Sequence, residues 1–359
     1  MSFASDPPPP DGSESLGLRV QCAYALGRLD GALRSLTTET ERLLAAALLG
    51  RTLVMVLRDA AYTDAETAFP RWLARGSPPQ AEPQVVLGTS ALIEAALHQL
   101  EQSSWLALGE STAILRRAAP HLTTPVAGHS SALAHAKTVL DQARQITCLK
   151  SGSSVDASLV RLADLIDAAS ASPIFALGHA DLATFTVRQG RRGYYKAALR
   201  PHLWALGLVV GGALHQARLL SRTVPMGGSI PLGAVRTDLS RAERSAFLFA
   251  GLTSTAETIL QLIEDCRERH AHTKSALGGF RTTSKAPAVL DFLAGTGPLT
   301  RAQIAAGFGV SRQGASGIID ALVTAGLVTR ENGVIRACPI REKQAFAEST
   351  STPLPPLTS

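Results

Sequence analysis

APAVLDFLAGTGPLTRAQIAAGFGVSRQGASGIIDALVTAGLVTRENGVIRACPI, residues Ala286 to Ile340, is the stretch that decides the fold. It reads as a helix, a helix-turn-helix and a short β-hairpin, the parts of a winged helix. Pro298 breaks the chain, and Thr300 then stands three residues before Gln303. That is the spacing of a capping box, in which two side chains satisfy free N–H groups at a helix start. Ile304, Ala305 and Phe308 give this helix a narrow apolar face. Gly309 suits a turn of positive φ, and Ser311 is placed to cap the next helix. On that second helix Ala315, Ile318, Ile319 and Leu322 fall on one side. Leu327 to Arg330, a Glu331-Asn332-Gly333 turn and Val334 to Arg336 then read as two strands, the wing.

The polar residues of this stretch point to duplex DNA. In helix-turn-helix proteins the N-terminal end of the second helix enters the major groove. Arg312, Gln313 and Ser316 sit at that end. Arg and Gln match guanine and adenine edges there, so these three are the candidates for base reading. Arg301, Ser311, Arg330 and Arg336 are placed to hold phosphates. Gly314 and Gly317 stand on the same helix and leave fewer side chains for readout; each costs about 1 kcal/mol of helix stability relative to Ala. Pairing of two copies through the rest of the chain compensates by reading two half-sites. Winged helices also dock onto proteins, so that alternative stays open.

Composition bounds the remainder. The chain has 359 residues, 45% hydrophobic, 5% aromatic and 18% charged, with a net charge of +6. Such a chain can bury a sizeable core, and its Ala/Leu content favours helices. The charge is compatible with a polyanionic partner without requiring one. Cys22, Cys148, Cys266 and Cys338 lie far apart with no C-x-x-C pair, which speaks against a zinc ribbon or a disulfide framework and fits a reducing cytoplasm. The N-terminus, MSFASDPPPPDGSES, has no basic region followed by an apolar run, so no signal peptide is expected. The apolar run Leu203 to Leu214 is shorter than the roughly 20 residues of a membrane span. It is expected to be a buried helix.

Along the chain, residues 1–16 are Pro- and Ser-rich and expected to be a disordered tail. Helical patterns cover 17–272, with a break near 150–173 that divides this region into two subdomains. Ser240 and Glu243 form a second capping-box spacing at the start of a long helix. Thr273 to Lys285, with Gly278-Gly279, reads as a linker to a winged helix over 286–341, and residues 342–359 read as a disordered tail. Arg188, Arg191, Arg192, Lys196 and Arg200 place five cations in thirteen residues, with Tyr194 and Tyr195 among them. They form a secondary basic patch able to follow a phosphate backbone, although a solvated helix edge is the preferred reading. From Arg281 to Arg341 there are seven basic residues against Asp291, Asp320 and Glu331, so this segment is more basic than the chain as a whole.

The long helix, linker and winged helix resemble the end of bacterial Fic-type proteins. The stretch ALGRLDGALRSLTTETERLLAAALLGRTLVMVLRDA, Ala25 to Ala60, is similar to the opening helices of that family. The layout also resembles a bacterial group that joins a Fic-like helical region to this helix-turn-helix. Fic catalysis requires an HPFxxGNGR run, which the sequence does not contain. His179, His202 and His215 are not followed by the phosphate-cradling glycines and arginine. The inhibitory S-x-x-x-E-G element is also missing; RDAAYTDAE, Arg58 to Glu66, stands in the equivalent region. The resemblance therefore implies a Fic-like scaffold without Fic chemistry.

Other chemistry is equally hard to assemble. His98, His121, His129 and His135 do not combine with carboxylates at metal-ligand spacing, apart from a loose His129 and His135 pair. The expected protein is all-α with a C-terminal winged helix-turn-helix. It is expected to be a cytoplasmic, non-enzymatic DNA-binding regulator that acts as a homodimer, with no catalytic, cofactor or metal site and no membrane contact. The alternatives are a docking antagonist of another regulator, which holds a protein partner through the helical region, and a remodelled Fic-like enzyme.

Overall fold

The computed structural model describes residues 12–60, 62, 64–76, 88–125, 128–148, 155–177, 202–278, 280 and 284–339. Nine helices precede the winged helix among them: α1 (Gly12–Arg34), α2 (Thr38–Asp59), α3 (Ala65–Arg75), α4 (Thr89–Glu101), α5 (Leu106–Ala118), α6 (His129–Thr147), α7 (Val155–Ala171), α8 (Leu203–Gln216) and α9 (Arg241–Leu277). The winged helix comprises α10 (Ala286–Thr296), β1 (Leu299–Thr300), α11 (Arg301–Phe308), α12 (Arg312–Thr324), β2 (Val328–Glu331) and β3 (Val334–Ala337). Its sheet has the order β1-β3-β2 and is antiparallel throughout. The fold is all-α with a small C-terminal sheet, as the sequence indicates.

The molecule is built around α2. Thr37 caps it, its Oγ1 accepting from Thr40 N at 3.3 Å. From Leu43 to Gly50 eight successive residues are buried, so this part of α2 is covered on all sides, the pattern of a central helix. It touches α3, α4, α5, α8, α9 and α10. Around this hub α1 lies along α9, burying Cys22, Ala25, Leu26, Leu29 and Leu33. Burial drives the thiols of Cys22 and Cys266 up to about 12, so neither is a nucleophile.

α9 opens with the expected capping box: Ser240 Oγ accepts from Glu243 N at 3.3 Å, and Glu243 Oε2 from Ser240 N at 2.6 Å. It is long and apolar enough to cross a membrane by length and composition. Here its apolar stripe, including Leu248, Leu252, Ala256, Ile259 and Ile263, is buried, and α1, α2 and α7 pack along the helix. α8 is the buried helix expected from the run at 203–214, with Leu203 to Gly211 buried without interruption.

Two boundaries differ from expectation. α1 begins at Gly12, inside the tail expected over 1–16, because Leu18 and Cys22 already pack on the core. α9 continues to Leu277, so the linker expected from Thr273 is in part helix; Thr273 is buried, and its hydroxyl donates to Arg269 O at 3.0 Å. Within the break expected near 150–173, α7 covers the helical pattern of Asp156 to Ala169 and packs on α9. The secondary basic patch, His179 and residues 340–359 lie outside the described residues.

Candidate nucleic-acid interface

The geometry of the helix-turn-helix follows from its capping groups. Thr300 Oγ1 accepts from Gln303 N at 3.4 Å, and Gln303 Oε1 accepts from Thr300 N at 2.7 Å. Gly309 takes φ 60° and ends α11. Ser311 then caps α12 by accepting from Gly314 N at 3.0 Å. Ala315, Ile319 and Leu322 face inward, with Ile318 half-buried. In the wing Asn332 and Gly333 both have positive φ, 51° and 76°. That pairing is what a tight two-residue hairpin turn requires, and it matches the Asn-Gly signal in the sequence.

The residues expected to contact DNA are, with one exception, at the surface of this unit. Arg312, Gln313, Arg301, Ser311, Arg330 and Arg336 are all exposed. Ser316 is half-buried: its hydroxyl donates to Arg312 O at 3.1 Å and lies 3.3 Å from Arg301 Nη1. It therefore steadies Arg301 and the first turn of α12. Arg330 Nη1 lies 4.0 Å from Asp320 Oδ1, with both side chains largely exposed. An ion pair of that kind contributes little, so it leaves Arg330 available to a phosphate. Arg336 stands opposite Thr329 on the hairpin. α12 itself packs on α10, α11 and β2.

The inner side is fixed to the helical region by contacts that the sequence reading did not single out. α10 crosses α2 at two glycines: a Cβ at Gly295 would lie 2.4 Å from Ala47 N, and one at Gly50 would lie 2.8 Å from Gly295 O. Gln303 Nε2 donates to Leu73 O on α3 at 2.6 Å. Arg117 on α5 donates from Nε and Nη2 to Gly307 O at 3.1 and 3.0 Å. Lys285 Nζ donates to Phe308 O at 2.6 Å, and Arg269 Nη2 on α9 to Cys338 O at 2.7 Å. Arg117 and Lys285 thus place cations on the last carbonyls of α11, where they complement the helix dipole, whereas Cys338 follows β3. No local pattern marks these residues, because their partners lie up to 230 positions away.

One buried charge belongs to the same seam. Asp291 on α10 faces Arg42 of α2, Oδ2 to Nη2 3.5 Å, with Arg269 of α9 nearby. Burial raises its carboxyl to about 6, and Arg42 and Arg269 offset only part of that cost. An ion pair at this length regains less than full desolvation removes.

Histidines expected as candidates are dispersed. His202 stacks edge-on against His135, centroids 5.4 Å apart, and its burial and that neighbour lower its pKa. His215 Nδ1 lies 3.1 Å from Leu220 O. His129 pairs with Glu94 at 2.8 Å, so the loose His129 and His135 pair does not form. Among the described residues no three His, Cys, Asp or Glu side chains converge as a metal site would need.

Comparison with curated proteins finds no match. Residues 282–333 match the MarR family, a span that runs from just before α10 to the wing turn and leaves the helical region outside it. The winged helix-turn-helix that ends the described residues is thus similar to the MarR family, a family of transcriptional regulators.

Proposed function

We propose that the chain regulates transcription by placing α12 in the major groove of duplex DNA, with Arg312 and Gln313 on base edges. Arg301, Arg330, Arg336 and the Ser311 cap hold the flanking phosphates. The observation that carries this reading is the two-sidedness of the winged helix. Its inner helices are fixed to α2, α3 and α5, while the first turn of α12 and the wing stay exposed and cationic. The helical region is read as a non-catalytic frame that joins two copies, which presents two α12 helices to half-sites about one helical turn apart.

The test is a selection of bound sequences from random duplexes, followed by binding isotherms at several salt concentrations. Enrichment of a two-fold-related motif, with affinity that falls steeply as salt rises, is expected. Enrichment of no motif together with salt-independent binding would sink the reading.

A second reading is a docking antagonist of another regulator. It is favoured by one feature, the stripe Leu16, Val20 and Tyr24 on α1, which are 55%, 61% and 68% exposed at four-residue spacing. The same stripe serves a homodimer equally well. Replacing Val20 and Tyr24 with Ser and measuring mass in solution separates the two readings. Loss of a dimer assigns the stripe to self-association, and an unchanged mass assigns it to a different partner. A remodelled Fic-like enzyme is disfavoured by the missing HPFxxGNGR run; label transfer from ATP, UTP or CTP that depended on His202 or His215 would restore it.

A further inference from the structure

α2 and α9 leave a groove of about 270 Å³ between them, walled at one side by the turn Met226 to Ser229. That volume is at the small end of ligand pockets, which run from roughly 300 to 1,000 Å³. The polar lining is one-sided in charge. Arg51 and Arg58 come from the same face of α2, two turns apart, and Ser254, Thr255 and Thr258 face them from α9. No carboxylate lines the groove among the described residues. Leu48, Met55 and Ile259 supply an apolar surface beside the cations.

The turn is shaped for close approach. Ser229 N donates to Met226 O at 3.1 Å, and Gly228 has φ +80°. That positive φ favours glycine, and a Cβ at Gly228 would lie 2.6 Å from the flexible end of Met55, its Cε, and 3.9 Å from Arg58 Nη2. Within the described residues no backbone carbonyl accepts from the N–H of Gly227 or Gly228. Arg51 is exposed and makes no hydrogen bond or ion pair with any described residue. Two guanidinium groups, Arg58 with a partner already, and the hydroxyls of Thr52, Ser254, Thr255 and Thr258 thus line one small space, with no carboxylate among its described lining residues. Guanidinium forks and backbone N–H groups are the donors that recognise carboxylates and phosphates.

We propose that this groove binds a small organic anion, a carboxylate or phosphate monoester whose apolar body lies along Met55 and Ile259 while its oxyanion meets Arg51, Arg58 and the glycine turn. The site lies outside the segment that matches the MarR family and does not depend on the DNA-binding reading. It also sits on the helix that carries the winged helix, since α10 crosses α2 at Ala46, Ala47 and Gly50.

Calorimetric titration of the full chain with hexanoate, phenyl phosphate and inorganic phosphate, without DNA, tests the proposal. Saturable one-to-one binding of hexanoate or phenyl phosphate is expected, at least about tenfold tighter than inorganic phosphate. Which of the two organic anions binds tighter identifies the headgroup. Arg51→Ala, at an exposed position that leaves folding intact by circular dichroism, should weaken that binding about tenfold or more. Arg51→Lys, which retains the charge without the fork, should weaken it less. The proposal is overturned if neither organic anion saturates below about 10 mM, if inorganic phosphate binds as tightly, or if Arg51→Ala leaves the affinity unchanged.

Discussion

α10 and α12 belong to one small domain, yet a glycine means opposite things on the two helices. Gly295 of α10 lies where a single added carbon would strike the backbone of α2, 2.4 Å from Ala47 N. Gly317 of α12 has open space around the same position, with nothing within 4 Å. One glycine is required by a close helix crossing; the other is only a weak point in an exposed helix. The difference separates the side of the winged helix that is built into the molecule from the side that is available to something else.

The largest effect should come from Gly295→Ala. The main chains of α10 and α2 must part to admit the methyl group, so urea unfolding should show a loss of about 3 kcal/mol. A loss below 0.5 kcal/mol, as is usual for a surface change, would mean that the crossing is loose and that the inner side is not fixed.

Next comes Asp291, in the same seam. Its carboxyl is raised to about 6 because burial penalises the charged form. Its neutral form therefore stabilises the fold at low pH, and that contribution is lost as pH rises through about 6. Measured from pH 4 to pH 7, wild type should lose about 2–3 kcal/mol relative to Asp291→Asn. A pH-independent difference between the two would place Asp291 in water and open the seam.

On the outer side the expected losses appear in binding. Arg312→Ala should cost about 1–3 kcal/mol on the selected duplex and little on random DNA. Arg336→Ala should weaken both duplexes alike and lower the salt slope by about one contact. Equal losses for both variants on both duplexes would reduce Arg312 to a phosphate contact.

The smallest effect has the opposite sign. Gly317→Ala should raise stability by up to about 1 kcal/mol, since an exposed helix interior gains from Ala and nothing obstructs it. A destabilising result would show that α12 is covered by another part of the chain, and the contrast between the two helices would fall.

Much of the winged helix was legible because its signals are local. The Thr300–Gln303 box, Gly309, the Ser311 cap and the Asn332-Gly333 turn each lie within a few residues of the groups they satisfy. Other elements were hidden. α3 carries Pro70 inside and starts after Asp64 in a left-handed conformation, features that blur its local helix signal. Phe69, Trp72 and Leu73 nevertheless bury completely against the core. The break between α4 and α5 falls at Gln102 to Trp105. It is fixed by Trp105 Nε1 donating to Glu41 at 2.6 Å and by Ser104 meeting Thr223, contacts that span 64 and 119 positions.

By itself the sequence determined that the chain is mainly helical, where the helices with capping boxes begin, and that it ends in a winged helix with exposed cations. Only the tertiary structure decided that α9 runs on through the expected linker, that α2 is the hub, and that the winged helix is fixed to it through Gly295, Gln303, Arg117 and Arg269. Caps and turns are written locally because a hydrogen bond to a near neighbour needs only spacing. A helix crossing and the partners of a buried charge depend on which distant surfaces meet, and spacing along the chain carries no record of that.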